Sequence, residues 1–228
     1  MRLRLLILDY DLTLLDTIAD FYDAFNGALR ACGGEPVGSL GEFVEHVARD
    51  ELEALIPAGA DRNGFWRLFR SLYRTRAPIP REGALDLLRT AKALGLAVVV
   101  VTGRGSHPLA MSWELSAAGL SDYVDEVHTL QELEAIGAKE GFPFDKSSVI
   151  AFVLRGRGVL PGEAVYVGDY WSDYESARRA GVRFIGVAYG AGDARLRRRG
   201  AEIVVGNLRE AALVVAAMWA GTGSRGPR

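Results

Sequence analysis

The sequence predicts an α/β fold: a doubly wound parallel sheet with a small all-helical unit inserted after the first strand. Two observations carry this expectation. Short runs rich in Leu, Ile and Val, without polar alternation, recur between helical patterns of about ten residues, as strands buried on both faces of a parallel sheet require. Almost ninety residues separate the first such run from the second, and three amphipathic stripes fill the gap. At 228 residues and 49% hydrophobic, the chain is long enough for a full core and a second, smaller unit.

The first run is "LRLLIL", Leu3 to Leu8, followed at once by "DYDLTLLD". In the insert, Ile18, Phe21, Tyr22, Phe25 and Leu29 recur at helical spacing behind Thr17 and Asp20, a capping-box spacing. Val44, Val47, Ala48, Leu52 and Leu55 do so behind "SLGE", and Phe65, Leu68, Phe69 and Leu72 form the third stripe. Pro78 and Pro80 close the block, because each lacks a donor and restricts its predecessor. The expected division is a core of residues 1–16 and 78–220, an inserted helical unit of residues 17–77, and a disordered tail at 221–228.

After Pro80 the expected order is a helix in "REGALDLLRTAKALG", the strand "LAVVVV", a helix near 108–118, a weaker strand at Tyr123 to Val127 and a helix near 146–156. The strand "EAVYV", a helix from Asp173 to Ala180, the strand "VRFIGV", a short "AEIVV" and a last helix from Leu208 follow. Ser172 and Glu175 have capping-box spacing, which places Asp173 in the first turn of its helix, among free backbone donors.

Composition excludes several classes. The net charge of −2 comes from acids and bases mixed along the chain, so no single-sign block is present to hold nucleic acid. Neither the six-residue apolar start nor "AALVVAAMWA" is long enough to span a membrane, and the start lacks a cleavage site. One cysteine, Cys32, excludes an intrachain disulfide and a cysteine metal cluster; it reads as a small core filler. A cytoplasmic protein, monomeric or homodimeric, is expected.

Ligands of open parallel sheets bind beyond the carboxyl ends of the strands. The residues there are Asp9 and Asp11, then Thr102, Gly103 and Arg104, then Gly168 to Asp173 in "GDYWSD". Two carboxylates at the mouth of a dry core repel unless a cation neutralises them. In extended backbone, Asp9 and Asp11 would share a side. The candidate ligands, with Asp169 and Asp173, are all oxygens, which suits Mg²⁺ and a phosphate partner. No dinucleotide fingerprint, P-loop or nucleophile elbow is present.

These residues resemble the haloacid dehalogenase superfamily, in its magnesium-dependent phosphatases with a helical cap after the first motif, the phosphoglycolate-phosphatase-like subgroup. "DYDLTLLD" resembles the DxDxT motif, "VVVTGR" the second motif and "VYVGDYWSD" the GDxxxD motif. The resemblance implies that Asp9 is the nucleophile, forming an aspartyl phosphate, and that Asp11 is the general acid and base. It implies that Thr102 binds the phosphoryl group. Mg²⁺ would be held by Asp9, the Asp11 carbonyl and Asp169, with Asp173 completing the shell. The family's lysine falls on Lys146 in "DKSS", with Lys139 the alternative. Gly103, Arg104 and Trp171 are expected to bind substrate, and arginines 67, 70, 74 and 76 of the insert are candidates to meet a second anionic group. The implied activity is hydrolysis of a small phosphomonoester; a sugar-phosphate mutase and a non-catalytic phosphate-binding protein are the alternatives.

Overall fold

The computed structural model describes residues 2–131, 144–188 and 192–221. Lys139 and residues 222–228 of the expected tail lie outside them. Six parallel strands form one sheet: β1 (Leu5–Leu8), β2 (Ala97–Val101), β3 (Glu126–His128), β4 (Ala164–Gly168), β5 (Arg183–Val187) and β6 (Val204–Val205), in the order β3-β2-β1-β4-β5-β6. The order reverses between β1 and β4, because the chain returns from β3 across the sheet; Leu8 pairs with Val100 on one side and Val167 on the other. This is the doubly wound arrangement that the apolar runs predict.

Every residue of β1 is fully buried, each stabilising the fold by about 1.5–3 kcal/mol. Successive side chains serve opposite layers. Leu6 and Leu8 join a core with Val98, Val100, Val165 and Val167, covered by α4 (Ala84–Ala93), α5 (Pro108–Ala117) and α9 (Leu208–Gly221). Leu5 and Ile7 join Val99, Val101 and Tyr166 on the other face, under α6 (Ser147–Arg157) and α7 (Trp171–Arg179).

The insert contains α1 (Ile18–Ala31), α2 (Leu40–Arg49) and α3 (Arg62–Leu72), with a 3₁₀ turn at Leu52–Leu55. Its helices pack around their own cluster, including Phe25, Phe43, Phe65, Trp66 and Phe69. Their rings meet edge-on or tilted at 5.2–6.5 Å, the preferred aromatic geometry. Cys32 is partly buried beside them. Among the described residues, no helix is long and apolar enough to cross a membrane.

Several local expectations need correction. Ser39 caps α2 by accepting from Glu42 N–H at 3.2 Å, but Thr17 does not cap α1. Its hydroxyl donates to Asp11 Oδ1 at 3.0 Å instead, and Asp20 accepts from Arg76 at 3.0 Å. The α7 helix begins at Trp171, earlier than expected, because Asp173 rather than Glu175 reaches back, accepting from Tyr170 N–H at 3.2 Å. The third strand starts at Glu126, since Ser121–Tyr123 closes into a 3₁₀ turn. Val44 and Leu72, read as buried, are exposed. The helix α8 (Gly192–Arg198) has a single large apolar residue, Leu196, and hence no periodicity to reveal it.

Candidate active site

Asp9 continues the β1 ladder by one bond, its N–H donating to Val167 O at 2.9 Å. The chain then turns. Tyr10 O accepts from both Leu14 and Leu15 N–H, at 2.9 and 3.0 Å, and Leu12 takes φ 62. Left-handed backbone is costly for a bulky residue and marks strain of the kind stored at functional sites. The turn separates the two acids that extended backbone would have aligned. Asp9 faces β4, and Asp11 faces the loop after β2.

The Asp9 side is an acid cluster. Ligand oxygens of Asp9, Asp169 and Asp173 all lie within 4.8 Å of one another. Asp169 stands at the end of β4 and accepts from the Thr13 hydroxyl at 2.9 Å. Asp173 comes from the first turn of α7 and accepts from the Tyr166 hydroxyl at 3.2 Å. Gly168 is required here, because a Cβ on it would fall 2.7 Å from Asp173 Oδ2. Lys146, buried at the N-terminus of α6, donates to Asp9 Oδ1 and, at 2.7 Å, to Asp173 Oδ1.

Three carboxylates face the buried Lys146, with the Arg195 guanidinium close to Asp169, and the excess of negative charge shows in their proton affinity. Burial, joined by the Asp173 and Asp169 charges, holds the Asp9 carboxyl well above its ordinary range against the pull of Lys146. Burial and the charge of Asp173 raise Asp169 to about 6. Lys146 is held well above its usual value: burial opposes its charge, but Asp173 and Asp9 outweigh it. Hard oxygen donors with an excess of negative charge fit a divalent cation such as Mg²⁺.

The Asp11 side is an ion-pair network centred on one arginine. The Arg104 guanidinium grips Asp11 through Nε, at 3.1 and 3.0 Å, and through Nη2 at 2.6 Å. Its Nη2 also donates to the Thr75 hydroxyl at 2.6 Å, and Nη1 lies 3.4 Å from Glu114. Arg104 stacks 4.1 Å from the centre of the Tyr73 ring. Tyr73 in turn donates to Thr17 Oγ1 at 2.9 Å. Both ends of the insert therefore converge on this one carboxylate. Thr102 is buried beside it, accepting from Arg104 N–H at 3.1 Å.

Both sides open into one cavity of about 150 Å³. Asp9, Asp11, Thr102, Gly103, Arg104, Lys146, Asp169 and Asp173 line its floor, while Phe21, Val47, Phe69, Arg70 and Tyr73 of the insert form its roof. The Asp11 carboxylate stands outside the acid cluster. Arg104 directs its guanidinium to Asp11 and Glu114. At the turn after β4, Asp169, Tyr170, Ser172 and Asp173 line the cavity, whereas Trp171 packs under the Arg199 guanidinium at 4.3 Å. Trp66 lies in the aromatic cluster and donates to Glu53 at 2.6 Å. Sequence reasoning missed Tyr73 and Thr75, whose roles depend on contacts with distant residues, and Arg195, which sits on the unrecognised helix α8.

Asp9 and Asp169, which follow the two central strands β1 and β4, meet Asp173 and Lys146, from the N-terminal ends of α7 and α6, in an acid cluster that could hold a divalent cation. The chain belongs to the haloacid dehalogenase-like hydrolases, whose family model matches residues 6–187. It is 23% identical to phosphoglycolate phosphatase 1 of Pseudomonas aeruginosa, over 91% of this chain and 78% of the relative. It is 28% identical to a phosphoglycolate phosphatase of Agrobacterium fabrum, over 88% and 87%. Among solved structures, CbbY of Rhodobacter sphaeroides in complex with phosphate is similar in fold, with a TM-score of 0.64 and 20% identity over 93% of this chain and 99% of that one. A haloacid dehalogenase-like hydrolase of Streptococcus pneumoniae superposes with a TM-score of 0.70 at 16% identity, covering 94% and 97%.

Proposed function

We propose that the protein is a magnesium-dependent phosphomonoester hydrolase acting on a small phosphorylated metabolite. The observation that carries this is the meeting of Asp9, Asp169, Asp173 and Lys146 at the switch point of the sheet, roofed by the insert. In this reading Asp9, Asp169 and Asp173 would hold a divalent ion, which would supply positive charge to offset that on the phosphoryl oxygens. The Asp9 carboxylate attacks phosphorus as the bond to the leaving oxygen breaks, giving an aspartyl phosphate. Asp11 protonates that leaving oxygen, then takes a proton from the water that displaces phosphate from Asp9. Lys146 orients Asp9 and Asp173 by donating to both from the inner side, and the Thr102 hydroxyl donates to a phosphoryl oxygen.

Residues 17–77 act in this reading as a cap, with segments near Asp16 and 77–80 as hinges. The apolar roof of Phe21, Val47 and Phe69 excludes water from the reacting phosphoryl group. The relatives' names make phosphoglycolate the first substrate to try. The test is phosphate release from phosphoglycolate and p-nitrophenyl phosphate with Mg²⁺ and with excess chelator. Release only with the metal supports the proposal, and full hydrolysis in chelator contradicts it.

A further inference from the structure

The helix α8 offers no apolar stripe, yet its Arg195 is 5% exposed, and the guanidinium reaches two separate parts of the chain. Nη1 donates to Val47 O in the last turn of α2 at 2.7 Å and lies 3.5 Å from Asp50 Oδ1. Nη2 donates to the backbone carbonyl of Asp169 at 3.1 Å. The same group stacks on the Tyr170 ring, 4.5 Å from its centre. A cation at a helix C-terminus meets carbonyls that lack helical partners and the negative end of the helix dipole.

A second observation points the same way. Asp50, the residue that ends α2, adopts φ 60 and ψ 34. A residue with a Cβ pays for left-handed backbone and holds it where its surroundings over-determine the conformation. Here the helix end and Arg195 together fix it. Val47 and Tyr170 both line the active-site cavity, so this contact forms part of its wall.

We infer that Arg195 is a positioning residue that latches the end of α2 onto the core while holding the Asp169 carbonyl, so that seating of the insert and ordering of the 168–173 turn are one event. The planar fork serves two carbonyls, a carboxylate and a ring face together; a lysine ammonium is a single point and cannot. The effect of the latch on turnover rests on the phosphatase reading, whereas its effect on the position of α2 does not.

Hydrogen–deuterium exchange of the full chain tests this in Arg195→Ala, Arg195→Lys and Asp50→Asn. In Arg195→Ala, amides of residues 40–50 and 168–173 should exchange at least about tenfold faster, the cost of losing a charge-assisted hydrogen bond. Amides of β1 and β2 should keep their rates. Arg195→Lys should fall between, and Asp50→Asn should accelerate mainly residues 40–50. If Arg195→Ala does not fold, the other two variants decide. Wild-type exchange at residues 40–50 in folded variants overturns the latch, as does a uniform rise that includes β1 and β2. With p-nitrophenyl phosphate and Mg²⁺, the same variants should raise KM more than they lower kcat. A wild-type protein without phosphatase activity would sink the reading and leave exchange to judge the latch; normal turnover with unchanged exchange would sink the latch alone.

Discussion

Asp9 and Asp11 leave the same strand end two residues apart and enter opposite environments. Asp9 is buried against two more carboxylates and one lysine; Asp11 is partly exposed and held by an arginine and two ends of the insert. One environment has an excess of negative charge and calls for a metal. The other binds its carboxylate to the segments that connect the insert to the core. The strained turn at Leu12 makes this difference, by rotating two alternate residues away from a common face. Identical side chains thus acquire different chemistry from their neighbours alone.

The largest expected effect breaks the Asp9 side. Asp9→Asn should abolish measurable phosphate release while circular dichroism shows the fold retained. Near-normal turnover, without deamidation back to Asp, would remove Asp9 from the nucleophile role. On the other side, Asp11→Asn should slow turnover by about 10² to 10⁴, with a smaller loss on substrates whose leaving group needs no proton.

Arg104→Met tests the arginine-centred network as structure. It leaves Asp11 and Glu114 without their shared partner, and loss of one member of a buried pair costs about 3–5 kcal/mol. Urea unfolding should show most of that range, discounted for the partial exposure of Asp11; a change under about 1 kcal/mol would mean that water already screens the pair.

The pH dependence sharpens the contrast further. Asp169 binds its proton more tightly folded than unfolded, with its pKa raised from 3.8 to about 6. That contribution to stability is present below the unfolded value and is lost as pH rises through about 6. A divalent ion held by this cluster would replace the proton, so Mg²⁺ should raise the melting temperature more at pH 7.5 than at pH 5. Equal shifts at the two pH values would contradict metal binding by this cluster. The smallest effect belongs to Tyr73→Phe, which removes the hydrogen bond to Thr17 and should cost about 1 kcal/mol.

The same two sides differ in how far the sequence revealed them. Buried parallel strands leave continuous apolar runs, so β1, β2, β4 and β5 were legible, and so was the acid that ends each central strand. The 3.6-residue stripe of α1 was legible from its spacing; those of α2 and α3 were legible in part, because Val44 and Leu72 are exposed and Leu52 and Leu55 fall in a 3₁₀ turn beyond the end of α2 at Arg49. The partners of Asp11 were not, because Arg104 stands 93 residues away and Thr75 is brought there by the return of the insert. Thr17 had the spacing of a helix cap, but a carboxylate 6 residues earlier in the chain competed for its hydroxyl. The helix α8 was invisible because its burial depends on one leucine and a buried arginine rather than on a stripe.

The most direct measurement of the proposed division of labour is mass spectrometry of Asp11→Asn and Asp9→Asn after incubation with an activated phosphoester and Mg²⁺. Asp11→Asn retains the nucleophile and loses the group that activates water, so a phosphoryl adduct should accumulate on Asp9. Asp9→Asn should carry none. An adduct on any other residue, or an adduct in the Asp9 variant, would contradict the assignment of the two aspartates.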